Sequence, residues 1–124
     1  FMDRVDSDIN RGQNMSKDRD PHKAVDYIIQ HAQQFAGARA ERIYLEEFRK
    51  SKKALLMKDS LETTIGAQER DAYSHDEYIK LLKELRDAID KEEKLRWDLI
   101  AAQARVDIWR TEQANLRLEG KATI

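Results

Sequence analysis

The stretch SHDEYIKLLKELRDAIDKEEKLRWDLIAAQARVDIWRTEQANLRL, which runs from Ser74 to Leu118, decides the fold of this chain. Eleven of its positions recur at alternating steps of four and three residues, and nine of these eleven are apolar. They are Leu81, Leu85, Ala88, Glu92, Leu95, Leu99, Ala102, Val106, Trp109, Gln113 and Leu116. The spacing predicts a coiled-coil seam, and such a seam needs a partner because one helix alone in water leaves its leucines exposed.

An earlier long helix is predicted to supply that partner. It begins at Asp20-Pro21, because the Asp side chain accepts hydrogen bonds from the first turn and Pro fits the first helical position. Apolar residues then recur at helical spacing to about Lys58: Val25, Ile28, Ile29, Ala32, Phe35, Ala36, Ile43, Tyr44, Phe48, Leu55 and Leu56. The small residues of FAGARA, 35–40, favour close packing of another helix over a hinge.

The segment between the two long helices, 59–73, breaks the helical period. Thr63, Thr64 and Gly66 indicate a turn, and a short helix is predicted after it. Two helices of similar length joined by a connector of this size can fold back on each other as an antiparallel hairpin.

The ends of the last helix are predicted from its capping residues. Ser74, with Glu77 three residues later, matches a capping box that starts a helix. Gly120 is expected to end this helix and to leave a frayed tail. The chain is therefore predicted to consist of an arm, a hairpin domain and a tail: 1–19; 20–119, with helices of about 21–58 and 75–118 joined by the connector 59–73; and 120–124.

The predicted fold class is all-α: a long antiparallel helical hairpin, coiled-coil-like, with a short connector helix, that oligomerises. Composition agrees, since 38% charged and 40% hydrophobic residues in a chain of 124 supply little material for a globular core. No run approaches about 18 apolar residues, so no membrane span is expected. The chain has no cysteine, which excludes disulfides and thiolate metal sites and fits a reducing compartment.

One local charge asymmetry lies in 39–58, where seven basic residues accompany three acidic ones in a chain of near-zero net charge. Cations in a line beside Tyr44 and Phe48 are the arrangement that single-stranded nucleic acid requires, with phosphates on the cations and bases on the rings. The candidate strand-contacting residues are Arg42, Arg49, Lys50, Lys52, Lys53 and Lys58. The alternative is a solvated face whose lysines pair with the acidic last helix.

A second apolar stripe on the last helix predicts self-assembly. It consists of Trp97, Ile100, Ala101, Ala104 and Ile108, and it lies away from the main seam. A helix with two apolar stripes needs two partners, of which the first helix is one and another copy, or a different protein, is the other. Trp109, in contrast, shares the main seam and is expected to be a core residue.

The sequence predicts neither a metal centre nor an enzyme, and no cofactor is expected. Acidic residues cluster on the last helix, but no Glu stands three residues before any His, as a helical di-metal site requires. Glu92 is interpreted instead as a polar seam residue that selects register or partner. Adjacent Ser74, His75 and Asp76 do not make a catalytic triad, because a triad is assembled from separated segments around an oxyanion site.

Two stretches resemble small helical proteins of tailed bacteriophages: YLEEFRKSKKALLMKDS, 44–60, and AQERDAYSHDEYIKLLKELRDAIDKEEKLRWDLIAAQARVDIWRTEQANLR, 67–117. Their order of basic stretch, connector, charged helix and Trp is similar to the recombination mediator family typified by UvsY of T4-like phages. The resemblance implies a ring-like homo-oligomer that binds single-stranded DNA and helps to load a RecA-type recombinase onto strands coated by a single-strand binding protein. It assigns DNA contact to Arg49, Lys50, Lys52, Lys53 and Lys58. The family's aromatic and glycine-containing turn is not matched by 59–66.

The expected function is that of a non-enzymatic accessory factor of phage recombination or replication, in the cytoplasm of the infected bacterial host. In a homo-oligomer many weak phosphate contacts add through effective concentration, so binding is expected to weaken steeply with salt. The alternative is a helical scaffold or interaction protein, such as a virion component or a regulator, that never touches nucleic acid.

Overall fold

The structure, a computed structural model, describes residues 20–122. Helices hold 93% of these residues, and no strand occurs between residues 20 and 122. The three helices are α1, Pro21–Asp59; α2, Ile65–Ser74; and α3, Asp76–Ala122. The expected all-α class is confirmed, whereas the predicted arm, 1–19, and the last two residues of the predicted tail lie outside the described residues.

The described chain forms two compact units, each of which contains part of α1 and part of α3. One unit consists of 20–33 and 97–122, and the other is the continuous segment 34–96.

Unit 34–96 has two small apolar cores. In the first, Leu45 of α1 packs with Leu81 and Leu85 of α3, and Phe48 and Ala88 cover its edge. The second joins all three helices through Leu56, Ala72 and Tyr78, with Met57 against them. Because later residues of α1 meet earlier residues of α3, the two helices run antiparallel within this unit.

The other unit has a core of small side chains. Ala24 of α1, which is 3% exposed, packs with Ala102 and Val106 of α3, and Tyr27 and Ile28 lie against this cluster. Alanines on both helices contribute little side-chain volume, so this core is small.

The seam of α1 differs from the predicted apolar set. Ten positions at alternating steps of four and three are all buried or half-buried: Ala24, Ile28, His31, Phe35, Ala38, Arg42, Leu45, Arg49, Lys52 and Leu56. Ile29, Ile43 and Tyr44, which were expected to belong to the packed face, are exposed instead. The apolar residues of α1 lie on two faces of the helix, because several positions of its seam are occupied by polar residues.

The predicted seam of α3 is confirmed from Leu81 to Val106, where every member is buried or half-buried. Beyond that point Gln113 is half-buried, but the prediction is wrong for Trp109 and Leu116, which are exposed. The reason is the start of α1 at Pro21: Ala24 already packs with Val106, so little of the described part of α1 remains to cover Trp109.

Helix starts are set by local hydrogen bonds. Asp20 accepts a bond from the backbone amide of His22 at 2.9 Å, as its position before Pro21 predicted. The capping box at Ser74 is wrong, because α2 extends through Ser74 and its hydroxyl donates to the carbonyl of Arg70 at 2.7 Å. His75 starts α3 instead, since its Nδ1 accepts from the amide of Glu77 at 3.1 Å.

Two glycines lie inside helices where a turn or a helix end was expected. Gly66 belongs to the first turn of α2, which Thr64 caps by accepting from the amide of Ala67 at 3.2 Å. Gly120 lies within α3, which continues to Ala122. No glycine between residues 20 and 122 has a positive φ, so Gly120 does not adopt the left-handed conformation that ends a helix.

Candidate functional site

The basic segment, 39–58, was the strongest candidate for a functional site, and Arg42 is its first predicted contact. This side chain is half-buried in the seam of unit 34–96 rather than on an outer face. Its Nε and Nη2 donate to Glu92 Oε2 and Oε1 at 2.6 Å and 3.0 Å, and its Nη1 donates to Glu46 at 3.1 Å. Three donors of Arg42 are therefore committed within the chain.

The charges of this pair stabilise each other. Hydrogen bonds from Arg42 lower the pKa of the Glu92 carboxyl, against the opposing effect of burial. The same bonds raise the pKa of Arg42. Glu92 is 7% exposed, so it is a buried carboxylate with a fixed counter-charge. Glu92 is therefore a polar member of the seam, and its role in selecting register or partner stays a prediction.

Two of the predicted lysines connect α1 to the rest of unit 34–96. Lys52 Nζ lies 2.8 Å from Glu77 Oε2 of α3, and this bond lowers the pKa of Glu77. Lys53 Nζ lies 3.5 Å from Glu69 Oε1 of α2 and 4.7 Å from the centre of the Tyr73 ring. Hydrogen bonding to Tyr73 is the main cause that raises the pKa of Lys53.

The remaining three predicted contacts are less engaged. Lys50 is exposed, and its Nζ lies 3.3 Å from Glu47 on the same helix, a contact that contributes little to stability. Arg49 is half-buried and Lys58 is exposed in the last turn of α1. Neither Arg49 nor Lys58 forms an ion pair with any residue between 20 and 122.

The basic segment thus places its charges in two ways. Arg42 and Lys52 pair with carboxylates of α3, which is the alternative that the sequence left open. Lys50 and Lys58 remain exposed on the same helix as Tyr44, whose ring stacks on Phe48 with centroids 5.8 Å apart. The strand-binding role of the six residues stays a prediction.

The second apolar stripe, called the outer stripe below, consists of Trp97, Ile100, Ala101, Ala104 and Ile108. All five residues are exposed, and Ile100 and Ile108 expose 43% and 58% of their surface. The stripe therefore lies away from the seam, where the sequence placed it. Its use as an interface between copies stays a prediction.

A further set of exposed apolar residues was not recognised from the sequence, since Leu82 and Ile89 were not singled out and Ile43 was assigned to the packed face of α1. Within unit 34–96, Ile43, Leu82 and Ile89 each follow a seam residue by one position, and each is about two-fifths exposed. The signal that identifies them is their offset from the seam, which becomes visible only once the partly polar seam of α1 is known.

The Ser74, His75 and Asp76 string has no catalytic geometry. The Ser74 hydroxyl donates to backbone carbonyls of α2, and His75 Nδ1 accepts from the amide of Glu77. Within residues 20–122 no group of three His, Asp or Glu side chains is arranged to hold a metal ion. None of the three described helices is long and apolar enough to span a membrane.

Comparisons with protein-family models, with curated proteins and with solved structures find no match to this chain. The geometry above is therefore the basis for a functional proposal.

Proposed function

We propose that this chain is a non-enzymatic assembly protein, built on a long antiparallel helix pair, that functions by associating with further copies of itself. The observation that supports this proposal is the outer stripe: Ile100 and Ile108 are exposed on α3, whereas the neighbouring seam residues Ala102 and Val106 are packed against α1. Since each isoleucine exposes about half of its surface, burying the remainder between copies contributes roughly half of the 1.5–3 kcal/mol that full burial provides.

Several such residues are needed for association. Ordering two molecules in one complex costs roughly 4–15 kcal/mol, so one or two buried side chains do not suffice. The stripe offers Trp97, Ile100 and Ile108 together with two alanines that allow close helix approach.

The charge distribution favours a second copy as the partner. The chain carries 23 basic and 24 acidic residues, and the two signs alternate along α3. Because the net charge is near zero, copies of this chain do not repel one another strongly. For the same reason the chain does not generally attract a partner that carries a large charge of one sign.

A second candidate function is binding of single-stranded DNA as an accessory factor for recombinase loading in an infected bacterium. The specific observation in its favour is the exposed pair Lys50 and Lys58 on the helix that also presents the Tyr44 ring. The phage setting, the recombinase and the single-strand binding protein come from the resemblance of the sequence alone.

The assembly proposal is tested by light scattering of the purified chain without nucleic acid. We expect a mass of more than one chain at micromolar concentration. Ile100→Lys with Ile108→Lys is expected to lower this mass, because the charged side chains would be desolvated in the interface. The matched control is Gln103→Lys, on an exposed polar position of the same helix outside the stripe, which should leave the mass unchanged. A wild-type mass of one chain would overturn the proposal.

Strand binding is tested separately by fluorescence anisotropy with a short single strand at low and high salt. The second candidate predicts affinity that falls steeply with salt and that is weakened by Lys50→Gln with Lys58→Gln. A flat salt response, or equal affinity of this variant and the wild type, would exclude this second function.

A further inference from the structure

One side of unit 34–96 has grooves and the other side has the exposed isoleucines. Residues one position before a seam residue line two shallow grooves between α1 and α3; they are Glu41, Phe48, Glu84 and Lys91. In an antiparallel helix pair, residues one position after the seam lie on the opposite side. Ile43, Leu82 and Ile89 occupy that side, and we call them the isoleucine face.

Both central residues of this face have the same charge pattern around them. Ile43 has Arg39 four residues before it and Glu46 three residues after it. Ile89 has Arg86 three residues before it and Glu93 four residues after it. Each of these charged residues also follows a seam residue by one position, so each lies at the same side of the unit as its isoleucine.

This pattern is self-complementary in one orientation only. When two copies of such a helix pack antiparallel about the isoleucine, the Arg of each copy lies against the Glu of the other. When they pack parallel, Arg meets Arg and Glu meets Glu, which is unfavourable. The same preference holds on α1 and on α3.

The two isoleucines also lie at the same height along the unit. Arg42 of α1 and Glu92 of α3 are in direct contact and mark one height along the unit. Ile43 follows Arg42 by one residue, and Ile89 precedes Glu92 by three. Because the helices are antiparallel, both steps go in the same direction and differ by only about 3 Å at 1.5 Å per residue. A single two-fold axis that relates two copies and runs perpendicular to the helices can therefore pass close to both isoleucines.

We infer that unit 34–96 pairs with the same unit of a second copy through the isoleucine face. In this arrangement α1 packs on α1 and α3 on α3, both antiparallel, in a four-helix bundle. Each Arg39 lies against the partner's Glu46, and each Arg86 against the partner's Glu93. The inference rests on the proposal that the chain self-assembles, and it names a surface for it in addition to the outer stripe.

The area of the face fits a stable dimer. The part of α3 in this unit, 76–96, is about 31 Å long, and two helices at 8–10 Å spacing give a face of about 600 Å² per copy. The total of about 1,200 Å² reaches the lower end of stable interfaces. Its centre is apolar and its edge is charged, which is the usual anatomy of such a contact.

Cysteine cross-linking tests the pairing, because the chain has no cysteine of its own. We expect Ile43→Cys and Ile89→Cys each to give covalent dimers with a short bis-maleimide at micromolar protein. The matched controls, Glu41→Cys and Lys91→Cys, lie on the groove side and should remain monomeric on denaturing gels. Helix content by circular dichroism verifies that each variant is folded.

A charge-reversal cycle provides the second measurement. Arg86→Glu is expected to weaken dimerisation roughly three- to tenfold, since two symmetric surface pairs are lost, and the double variant Arg86→Glu with Glu93→Arg should restore it. If the chain associates but cross-links at Ala104→Cys and not at either isoleucine position, the inference fails and the assembly proposal stands. If the wild type is a single chain, both fail.

Discussion

Arg42 of α1 and Glu92 of α3 form a two-point ion pair inside the seam of unit 34–96, with Nε 2.6 Å from Oε2 and Nη2 3.0 Å from Oε1. Arginine presents its donors in a planar fork that matches a carboxylate, so the pair fixes direction as well as distance. A charged pair at this place therefore helps to align the two helices beside the apolar contact of Leu45 and Leu85.

Removing the charge of Glu92 is expected to destabilise the fold. Glu92→Gln removes the negative charge and one of the two oxygens that accept from Arg42, at a cost of about 1–2 kcal/mol in unfolding free energy. Urea denaturation followed by circular dichroism measures the change. The matched control is Glu47→Gln, whose ion pair with Lys50 on the same helix is exposed and contributes little. Equal losses in the two variants would contradict the role given to Glu92.

Stability should also depend on pH through Glu92. Its pKa is lower in the folded protein than the ordinary value of 4.5, because Arg42 stabilises the carboxylate. A lowered pKa means that the contribution is complete above the ordinary pKa and is lost as pH falls through the folded one. The difference in unfolding free energy between wild type and Glu92→Gln should therefore be constant near neutral pH and shrink below about pH 4. A difference that grows on acidification would contradict this assignment.

Gly37 should be replaceable with a gain in stability. It lies inside α1, its φ is not positive, and a Cβ built at this position meets no atom within 4 Å. Gly37→Ala is expected to raise the unfolding free energy by about 0.5–1 kcal/mol, because alanine loses less backbone entropy in a helix. Ala40→Gly, on an exposed position of the same helix, should lower it by a similar amount. Thermal unfolding measures both changes, and a loss in Gly37→Ala would indicate that the glycine serves close packing after all.

The start of α3 should depend on His75 rather than on Ser74. His75→Ala removes the acceptor for the amide of Glu77 and is expected to cost about 0.5–1 kcal/mol. His75→Asn retains a capping acceptor and should retain most of the stability. Ser74→Ala should cost less than His75→Ala, because the Ser74 hydroxyl bonds carbonyls at the end of α2. The reverse order in urea denaturation would support the capping box predicted from the sequence.

The seam of α3 was predictable because nearly all of its members are apolar, whereas that of α1 was not. Four of the ten α1 seam positions are polar: His31, Arg42, Arg49 and Lys52. A search for apolar periodicity passes over such residues and selects the neighbouring exposed face instead. Arg42 becomes recognisable as a seam residue only when Glu92, fifty positions later, is known to lie opposite it.

In the basic segment, too, the partners of the charged residues could not be predicted from the sequence. Sequence shows how many cations it carries, but Glu77 and Glu69, which engage Lys52 and Lys53, are brought to them by the fold. Trp109 was placed in the core because it continues the seam, and it is exposed because α1 begins at Pro21. Local patterns thus predicted the helices. Which residues are buried depends in addition on where the partner helix begins and ends.

Sedimentation velocity of the wild type without nucleic acid is the decisive test of self-association. One chain has a mass of 14.6 kDa. We predict at least twice that mass at micromolar concentration, with a shift towards one chain on dilution. A well-folded species with the mass of one chain at every concentration would contradict it.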